Sequence, residues 1–349
     1  MDHGMLSGKM AVRTLQMPLA LAKIMKEKGK SDDEIKAVIK AFFSSRKIKV
    51  DKNLSTEYLI FVGDQNIKDA AAQLMTPEIW SSLSQIADED EKKEDDGGDG
   101  KAKPKKKKTK IEIPENVKKQ VGDLLDKLFS VTPDIALFGR MVANAPKFNT
   151  IAACQVAHAI STNRMNMEYD YYTALDELKP EDEPGAGMIG LSGFNAPCMY
   201  RYLNIDVEQL VKNLGDKVLA SEALASFLSA AIKAIPKGKD KTMPANNPPA
   251  FVMVVLRDDG FWSLTNAFEK PAKYISESKG LVEHSIEKMI EEWATTCSVM
   301  GKPENVSIFY AGMKASALPK DTASELGMVP CKSIDELVKS VISGVKGLK

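Results

Sequence analysis

The stretch Arg164–Thr173, RMNMEYDYYT, carries two methionines and three tyrosines in a chain whose aromatic content is only 7%. Successive side chains of a strand point to opposite faces, so a strand here would have one face of rings and thioethers and one mostly charged face. The first face consists of Met165, Met167, Tyr169 and Tyr171, and the second of Arg164, Asn166, Glu168, Asp170 and Tyr172. The stretch therefore predicts a strand with one large, flat and polarizable surface.

The sequence that follows this strand predicts a hairpin. Residues 179–187, KPEDEPGAG, are acidic and contain proline and glycine, which favour turns and irregular backbone. After them, residues 198–205, CMYRYLNI, form a second strand-like run in which Tyr200 and Tyr202 would share a face. A strand, a polar tip and a second strand indicate a long hairpin that projects from a folded body.

The remaining pattern is that of an α+β protein. Apolar residues at helical spacing and capping residues predict helices at residues 17–28, 31–43, 66–75, 77–87, 114–129, 206–214, 221–235, 280–300 and 333–345. Strands are predicted at residues 251–257 and 306–310. Strands that alternate with helices, with a long helical insertion upstream, predict a sheet with helices packed on one face and the other face free for a ligand.

Residues 88–110 break this pattern, because an acidic run, DEDEKKEDDGGDG, passes directly into the basic run KAKPKKKKTK. The segment contains no large apolar residue, so it cannot bury enough surface to offset the conformational entropy lost on ordering. We therefore predict a disordered loop. Its lysines either contact phosphate or are solvated neighbours of the acidic half, and the adjacent opposite charge favours the second interpretation.

The composition is that of an ordinary globular protein and excludes several classes. The 48 basic and 48 acidic residues balance, so a site for a polyanion has to come from local segregation of charge. The longest apolar runs, such as AFVMVVL at residues 250–256, fall far short of the roughly 18 residues of a membrane-spanning helix. The N-terminal residues lack the apolar block of a signal peptide. We expect a cytosolic protein without a membrane partner.

Cysteine and histidine are too scattered to predict a metal site. The four cysteines show no paired spacing, which favours reduced thiols in a core over a zinc site or a disulfide framework; they are Cys154, Cys198, Cys297 and Cys331. Histidine occurs at three positions, of which His158 has the most informative surroundings. No metal and no other cofactor is expected.

A glycine motif suggests a dinucleotide site but lacks the required context. Gly185, Gly187 and Gly190 spell G-x-G-x-x-G. Such a loop has to leave a strand and open a helix whose N-terminus takes the pyrophosphate, whereas this run follows an acidic loop and opens no helix. The end of a hairpin accounts for these glycines better.

Three carboxylates suggest a nuclease as the alternative function. Asp170, Asp176 and Glu177 carry the hard oxygen ligands that suit Mg²⁺. Asp176 and Glu177 are adjacent, however, and would diverge on a strand or a helix. A metal-dependent nuclease that uses Asp170 and Asp176 is therefore disfavoured by geometry.

The tyrosine and methionine face allows three interpretations from the residues alone. It can be the buried side of a strand packed on a core. It can be a nucleic-acid surface whose rings stack on or wedge between bases, while Arg164 and nearby lysines contact phosphates. It can also belong to a protein-interaction module without an RNA role, because tyrosine and methionine are enriched at protein interfaces.

Six motifs, in order along the chain, resemble those of the CasC family, the backbone subunit of the type I-E CRISPR surveillance complex Cascade. They are DIALFGRM (134–141), QVAHAIST (155–162), DYYTALDEL (170–178), GAGMIG (185–190), YRYLNID (200–206) and NAFEKP (266–271). Weaker similarity extends upstream to AVRT (11–14) and downstream to the C-terminus.

The resemblance implies a hand-shaped, non-enzymatic protein. Its palm would be an RRM-like (ferredoxin-like) domain at residues 154–164 and 199–349, and its thumb a protruding β-hairpin at residues 165–198. Residues 1–153 would form a mostly helical finger domain inserted into the palm, with a remnant of the palm and the charged loop 88–110.

The resemblance also implies the partners. Copies would assemble with other Cascade subunits along a guide RNA (crRNA) into a helical filament that presents the guide for pairing with target DNA in antiviral defence. The thumb of one copy would reach over its neighbour and wedge out a guide and target nucleotide at regular intervals. Since base pairing reads the sequence, such a protein has to hold only backbone and shape, for which stacking side chains are suited.

Carried onto this sequence, the resemblance implies a set of RNA-binding residues. Tyr171 and Tyr172 occupy the aromatic pair of the thumb, and Met141 in FGRM occupies an apolar wedge. Lys273, just after NAFEKP, resembles a basic position that contacts guide phosphate. The set is completed by Arg140, His158 and Arg13 from the matched motifs and by Arg164 in the thumb strand.

The start of the chain departs from the family pattern. Family members begin with a strand and a basic segment rich in glycine, arginine, serine and lysine ahead of the VRT region, whereas Val12 lies close to Met1 here. We therefore expect an incomplete palm sheet and weaker RNA binding than in a member that has these elements.

Overall fold

The computed structural model describes residues 6, 9–45, 48–94, 115–142, 145–174, 177 and 188–345. These residues form helices and strands in an α+β arrangement. The chain divides into two compact units, one made of residues 1–155 and 205–227 and the other of residues 156–204 and 228–346. In the part of the chain that the structure describes, no helix is both long enough and apolar enough to cross a membrane.

Helices dominate the first unit. A two-stranded antiparallel ribbon pairs β1 (Ala11–Thr14) with β2 (Ile60–Gly63). The helices that begin in this unit are α1 (Met17–Glu27), α2 (Asp32–Ser44), α3 (Asp64–Leu74), α4 (Pro77–Glu94), α5 (Glu115–Leu128), α6 (Pro133–Phe138), α7 (Val207–Leu214) and α8 (Lys217–Lys233). The apolar faces of α1 to α5 share one core, in which the rings of Phe42 and Phe43 meet edge to face at 5.1 Å between centroids.

Local end signals explain where several of these helices begin. Ser31 and Glu34 form the predicted capping box of α2, in which each side chain bonds to the backbone N–H of the other residue. Asp206 caps α7 by accepting a hydrogen bond from the Gln209 N–H. The predictions for α1, α2, α3, α5 and α7 are confirmed within one or two residues at each end.

The prediction for the acidic run is wrong in part. Helix α4 continues to Glu94 instead of ending near Ala87, so the first residues of the predicted disordered loop are helical. Alanine, glutamate and lysine have good intrinsic helix propensity, and a helix can therefore extend through them without burying apolar surface. Residues 95–110 lie outside the described residues.

The second unit contains a three-stranded sheet and several short strand pairs. Two short strands, β3 (Cys154–Val156) and β8 (Leu203–Ile205), run across the division between the units, and the other short strands are β4 (Ile160–Ser161), β5 (Glu168–Ala174), β6 (Met188–Phe194) and β7 (Met199–Tyr200). The three-stranded sheet has the order β11-β10-β9 and consists of β9 (Val252–Leu256), β10 (Ser307–Ala311) and β11 (Met328–Pro330). Strand β10 is antiparallel to β9 and parallel to β11. The helices are α9 (Leu281–Met300), α10 (Lys320–Glu325) and α11 (Ile334–Gly344).

Both faces of the three-stranded sheet are covered, which corrects the expectation of helices on one face. Ile308 and Tyr310 of β10 share a core with Ile286 and Trp293 of α9. Phe309 lies on the opposite face, where an added Cβ at Gly344 of α11 would lie 3.8 Å from its ring. Because side chains alternate along a strand, α9 and α11 pack on opposite faces. Helices therefore pack on both faces of this sheet, although Val329 of β11, opposite Phe309, is 48% exposed.

The hairpin is present, but its second strand is not the predicted one. Strand β5 pairs antiparallel with β6, from Glu168 opposite Phe194 to Ala174 opposite Met188. The run predicted as the partner, residues 198–205, instead supplies β7, which pairs with β4, and β8, which pairs with β3. Gly190 lies within β6, and Gly185 and Gly187 lie outside the described residues.

Candidate nucleic-acid interface

The hairpin of β5 and β6 is exposed on both faces. All seven residues of β5 are exposed, and those of β6 are exposed or half-buried. The exposed fractions are 69% for Tyr169, 60% for Tyr171 and 43% for Tyr172. A strand packed on the core of its own chain would bury one face, so this observation argues against the buried-strand interpretation within the described chain.

The register of the hairpin sorts its side chains into two faces. Residues directly opposite each other share a face. One face carries Tyr169 and Tyr171 together with Leu191 and Ile189 of the partner strand, and it is almost entirely apolar or aromatic. The other face carries Asp170 and Tyr172, opposite Ser192 and Gly190. Tyr171 and Tyr172 therefore lie on opposite faces, and each can contact a different partner.

Two tyrosine rings lie over glycines of the neighbouring strand. An added Cβ at Gly190 would come within 2.5 Å of the Tyr172 ring, and one at Gly193 would lie 3.3 Å from the Tyr169 ring. An aromatic ring that covers a glycine on the adjacent strand buries backbone that would otherwise be solvated, and it pins the register. These contacts give the ribbon support that its two strands alone would lack, because an isolated two-stranded hairpin is marginally stable.

Hydrogen bonds fix the root of the hairpin to a second segment of the same unit. The Ala272 N–H donates to the Thr162 carbonyl at 2.8 Å, and Asn163 and Ala272 form a parallel bridge. The Asn163 side-chain oxygen accepts a hydrogen bond from the Cys198 N–H at 3.0 Å. The buried Thr162 hydroxyl lies 2.8 Å from the Ser285 hydroxyl of α9. The base of the hairpin is therefore held in place.

This root brings together two of the predicted basic residues. Arg164 follows Asn163 and Lys273 follows Ala272, so each comes directly after one member of the parallel bridge. Both side chains are exposed. The backbone N–H of Lys273 donates to Nδ1 of His284 at 3.0 Å, which holds the segment against α9. Positive charge thus accompanies the tyrosine hairpin at its base.

Tyr274 extends this cluster and was missed by sequence reasoning. It follows Lys273 and is exposed, as is the neighbouring Ile275. The signal in the sequence was a basic residue directly followed by an aromatic one, which is typical of nucleic-acid surfaces. The apolar residues Ile189 and Leu191 were missed as well, because the partner strand of the hairpin was assigned too far along the chain.

The other predicted contact residues are exposed, with one exception. His158 belongs to the second unit and lies between β3 and β4. Arg13 of β1 and Met141 belong to the first unit, and the guanidinium carbon of Arg13 lies 5.8 Å from the centre of the Phe61 ring. Met141 is 82% exposed. The exception is Arg140.

Arg140 is buried, which argues against its predicted place in the RNA-contacting set. Its exposed fraction is 6%. The guanidinium donates to three backbone carbonyls, at 3.0 Å to Phe148, 3.2 Å to Phe61 and 2.6 Å to Phe129. Burial lowers the pKa of Arg140 to about 10, so the group stays charged at neutral pH. A guanidinium committed to three carbonyls in the interior has no free face for phosphate.

The described residues do not form a metal centre. Among them, no group of three or more histidine, cysteine, aspartate or glutamate side chains is arranged to hold an ion. Asp170 is exposed on β5, and Glu177 is also exposed. Asp176 lies outside the described residues. The four cysteines are free thiols, as predicted, and Cys154 and Cys331 are buried.

Comparison with known proteins gives the family. The sequence matches the model of the Cas_CT1975 family, described as CT1975-like protein, over residues 2–340. No curated protein sequence matches the chain significantly.

Two solved structures have chains similar to this one. A chain described as "CRISPR RNA-guided surveillance complex, pre-nicking" is 25% identical with a TM-score of 0.71, and the match covers 96% of this chain and 84% of that one. A chain described as "CRISPR RNA-guided surveillance complex" is 21% identical with a TM-score of 0.60, and the match covers 96% of this chain and 83% of that one. This second likeness supports the fold alone. The family match extends over nearly the whole sequence, and this chain therefore belongs to the Cas_CT1975 family of CT1975-like proteins.

Proposed function

We propose that this chain is a non-enzymatic, guide-RNA-binding subunit of a type I-E Cascade complex, and that its copies form the helical backbone that presents the guide to target DNA. The family match and the likeness to chains of RNA-guided surveillance complexes support a Cascade-type role. The same role would place the protein in the cytoplasm with the other Cascade subunits. Within it, residues 165–198 would act as the thumb, residues 1–153 as the finger domain, and residues 154–164 and 199–349 as an RRM-like palm.

The observation that carries this proposal is the exposure of the hairpin on both faces. A ribbon that displays Tyr169, Tyr171, Leu191 and Ile189 to water on one side, and Tyr172 on the other, presents a contiguous apolar surface. Monomeric proteins rarely leave such surfaces uncovered unless they bind a partner. Nucleobases fit flat aromatic surfaces whatever their sequence, and stacking contributes about 1–3 kcal/mol per base.

The charges of the cluster fit a guide that is held by its backbone. Arg164 and Lys273 stand at the root of the hairpin, where they would contact phosphates beside the stacked bases. Base pairing reads the sequence in an RNA-guided system, so the protein needs few base-specific contacts. A chain of zero formal net charge can still bind RNA tightly if many copies each add a few phosphate contacts along one strand. Met141, His158 and Arg13 would supply further contacts.

The test compares tyrosine variants for RNA binding and for assembly. Tyr171→Ala and Tyr172→Ala each change a side chain of the exposed ribbon, which contributes no residue to the core of either unit, so we expect global unfolding temperatures close to that of the wild type. We expect RNA affinity to fall by about 5- to 150-fold for each ring that stacks on a base. The matched variants Tyr171→Phe and Tyr172→Phe keep the ring and should bind as the wild type does.

Electron microscopy of the protein with guide RNA and partner subunits tests assembly. Regular helical particles that are lost in the Tyr171→Ala/Tyr172→Ala double variant would support the backbone role. If the double variant binds RNA as tightly as the wild type and still assembles, the hairpin is not the nucleic-acid surface. If RNA retention does not weaken as salt rises, the protein-interaction alternative gains over RNA binding, because phosphate contacts have to weaken with salt.

A further inference from the structure

The connection between α8 and β9 is long and irregular. Residues 234–251 contain neither helix nor strand, and all of them are described. Connections longer than about 12–15 residues without secondary structure are uncommon in compact domains and are usually functional or disordered. This one contains local order. The Lys239 carbonyl accepts hydrogen bonds from the N–H groups of Thr242 at 3.1 Å and Met243 at 2.7 Å.

Positive charge is concentrated in residues 233–241, KAIPKGKDK, which comprise the last residue of α8 and the first part of the connection. We call this segment the basic loop. Lys233, Lys237, Lys239 and Lys241 are all exposed, whereas Asp240 is half-buried. Asp240 is also the one acidic residue in the sequence between Glu222 and Asp258. In a chain whose charges balance overall, this is the local segregation that a polyanion site requires.

Among the described residues, some lysines have an acidic partner and the three loop lysines Lys237, Lys239 and Lys241 do not. Lys9, Lys26 and Lys68 form ion pairs of 2.9, 2.8 and 2.7 Å with Glu222, Asp32 and Asp64 respectively. Within the described parts of the chain, Lys237, Lys239 and Lys241 form no such pair. Their ammonium groups are exposed, and among the described residues no ion pair has to be broken for them to bind an external anion.

Backbone conformation and hydrogen bonds order the loop that carries these lysines. Lys239 has a φ of 57°, a left-handed conformation that glycine or asparagine would adopt with less strain. At the base of the loop, the Arg201 guanidinium donates to the Ala234 carbonyl at 2.8 Å and to the Ile232 carbonyl at 3.3 Å. Arg201 thus anchors the loop at the end of α8 and adds a further positive charge there.

From this arrangement we infer that the basic loop binds the phosphodiester backbone of a nucleic acid, through Lys237, Lys239 and Lys241. Lysine ammonium groups are compact point charges that contact phosphate oxygens without reading bases. The hairpin residues play no part in this inference, so the loop is a second nucleic-acid contact beyond the one proposed above. The shared chemistry of RNA and DNA, a chain of phosphates, is what the loop recognises.

The experiment measures the salt dependence of binding. The full-length wild type and the Lys237→Gln/Lys239→Gln/Lys241→Gln variant are titrated with a single-stranded RNA, a single-stranded DNA and a DNA duplex at several salt concentrations. Each phosphate contact contributes about 0.7 to 0.9 to the slope of log affinity against log salt. We expect the magnitude of the slope to fall by about 2 to 3 in the variant for the nucleic acid that the loop binds. The probe that shows the fall identifies RNA, single strand or duplex as the source of the phosphates.

Two control variants make the result specific. Lys9→Gln/Lys26→Gln/Lys68→Gln removes the same number of charges from lysines that have acidic partners, and its slope should match that of the wild type. Lys237→Arg/Lys239→Arg/Lys241→Arg keeps the charges and should bind like the wild type. If the slope of the loop glutamine variant equals that of the wild type with all three probes, or falls no more than that of the ion-pair control, the inference is overturned.

The hairpin variants separate this inference from the proposed function. Tyr171→Ala/Tyr172→Ala removes uncharged rings, so it should weaken RNA binding at every salt concentration without changing the slope. Loss of affinity in the hairpin variant with no effect in the loop variant would refute the loop and leave the proposed function standing. The reverse result would refute the proposed role of the hairpin alone.

Discussion

The ring of Tyr172 lies over Gly190, its partner on the opposing strand, so closely that a Cβ at position 190 would come within 2.5 Å of the ring carbon Cζ and of the hydroxyl oxygen. The absence of a side chain at Gly190 is therefore what allows the ring to lie across the ribbon. The ring of Tyr169 stands in the corresponding relation to Gly193 on the other face. Each face of the hairpin thus has one tyrosine ring over a glycine of the neighbouring strand, and Tyr171, which pairs with Leu191, is 60% exposed.

We predict that Gly190→Ala displaces the Tyr172 ring without unfolding the protein. The clash falls on the far end of a mobile side chain on an exposed ribbon, so the ring can swing away and the unfolding temperature should stay within about 2 °C of the wild-type value. If Tyr172 contacts RNA, affinity should fall by as much as in Tyr172→Ala. The measurement is RNA titration together with thermal unfolding.

A double variant sharpens this test. Gly190→Ala/Tyr172→Ala should lose no more affinity than Tyr172→Ala alone, because both changes remove the same contact. Additive losses in the double variant would show that Gly190 acts by another route than the ring.

We predict that Arg140 contributes to stability and not to RNA binding. Removal of its guanidinium in Arg140→Met would leave the carbonyls of Phe148, Phe61 and Phe129 without their donor, at about 1 kcal/mol or more each. The free energy of unfolding should therefore fall by about 3 kcal/mol or more, as measured by denaturant titration. The free energy of unfolding of Arg140→Lys should lie between those of the wild type and Arg140→Met, because a lysine cannot reach three carbonyls at once.

Arg164 is the matched control for Arg140. Its side chain is exposed at the root of the hairpin, so Arg164→Ala should change the free energy of unfolding by no more than about 0.5 kcal/mol while it weakens RNA binding. A pattern in which Arg140→Lys folds as stably as the wild type but loses RNA affinity would restore Arg140 to the contact set.

Short-range signals were sufficient to predict many elements of the fold. The Ser31 and Glu34 capping box, the Asp206 cap and the Ser333 cap each place a helix start within one residue of the position that the sequence indicates. These signals act within a single turn, so a sequence window contains all of the interacting groups. The start of α8 was placed four residues late, because Asp216, whose side chain accepts from the N–H groups of Val218 and Leu219, was overlooked in favour of Ser221.

Long-range relationships were not predictable from the residues. The pairing of β5 with β6 was missed because Gly190 and Gly193 interrupt the apolar pattern of MIGLSGF, and the rings that compensate for them come from the other strand. The burial of Arg140 depends on carbonyls as far away in sequence as Phe61. The matched motif contained the arginine but carried no information about which way its side chain points.

We predict that the thiol of Cys154 reacts slowly with alkylating reagents in the native protein. Burial raises the pKa of its thiol to about 11 from an ordinary value near 9, and only the thiolate reacts with an alkylating reagent. At pH 8 the thiolate fraction, and hence the labelling rate, should be about 100-fold lower than in the unfolded chain, and the rate should rise about tenfold per pH unit up to pH 11. Peptide mass spectrometry after timed labelling measures this rate.

Slow access of the reagent to Cys154, without a raised thiol pKa, would give a different dependence of the labelling rate on pH. If the residue were merely slow to be reached, its labelling rate would follow local opening and would not keep rising tenfold per unit towards pH 11. Cys198, which is partly accessible, serves as the internal reference in the same digest. Rapid labelling of Cys154 at pH 8 would contradict its burial at the start of β3.

We predict that the protein binds RNA without cleaving it in the presence of Mg²⁺. Asp170 stands exposed on β5 opposite Ser192, and the described residues contain no cluster of three metal-ligating side chains around it. A lone exposed carboxylate binds Mg²⁺ too weakly to organise phosphodiester cleavage, which needs the ion fixed by several ligands. Asp170→Asn should therefore leave the RNA intact and its binding unchanged, or strengthen binding slightly by removing a negative charge from the hairpin.

The assay follows end-labelled RNA with Mg²⁺ and with EDTA, using wild type, Asp170→Asn and Asp176→Ala. Cleavage that requires Mg²⁺ and disappears in either aspartate variant would make the protein a nuclease and would overturn the non-enzymatic backbone role.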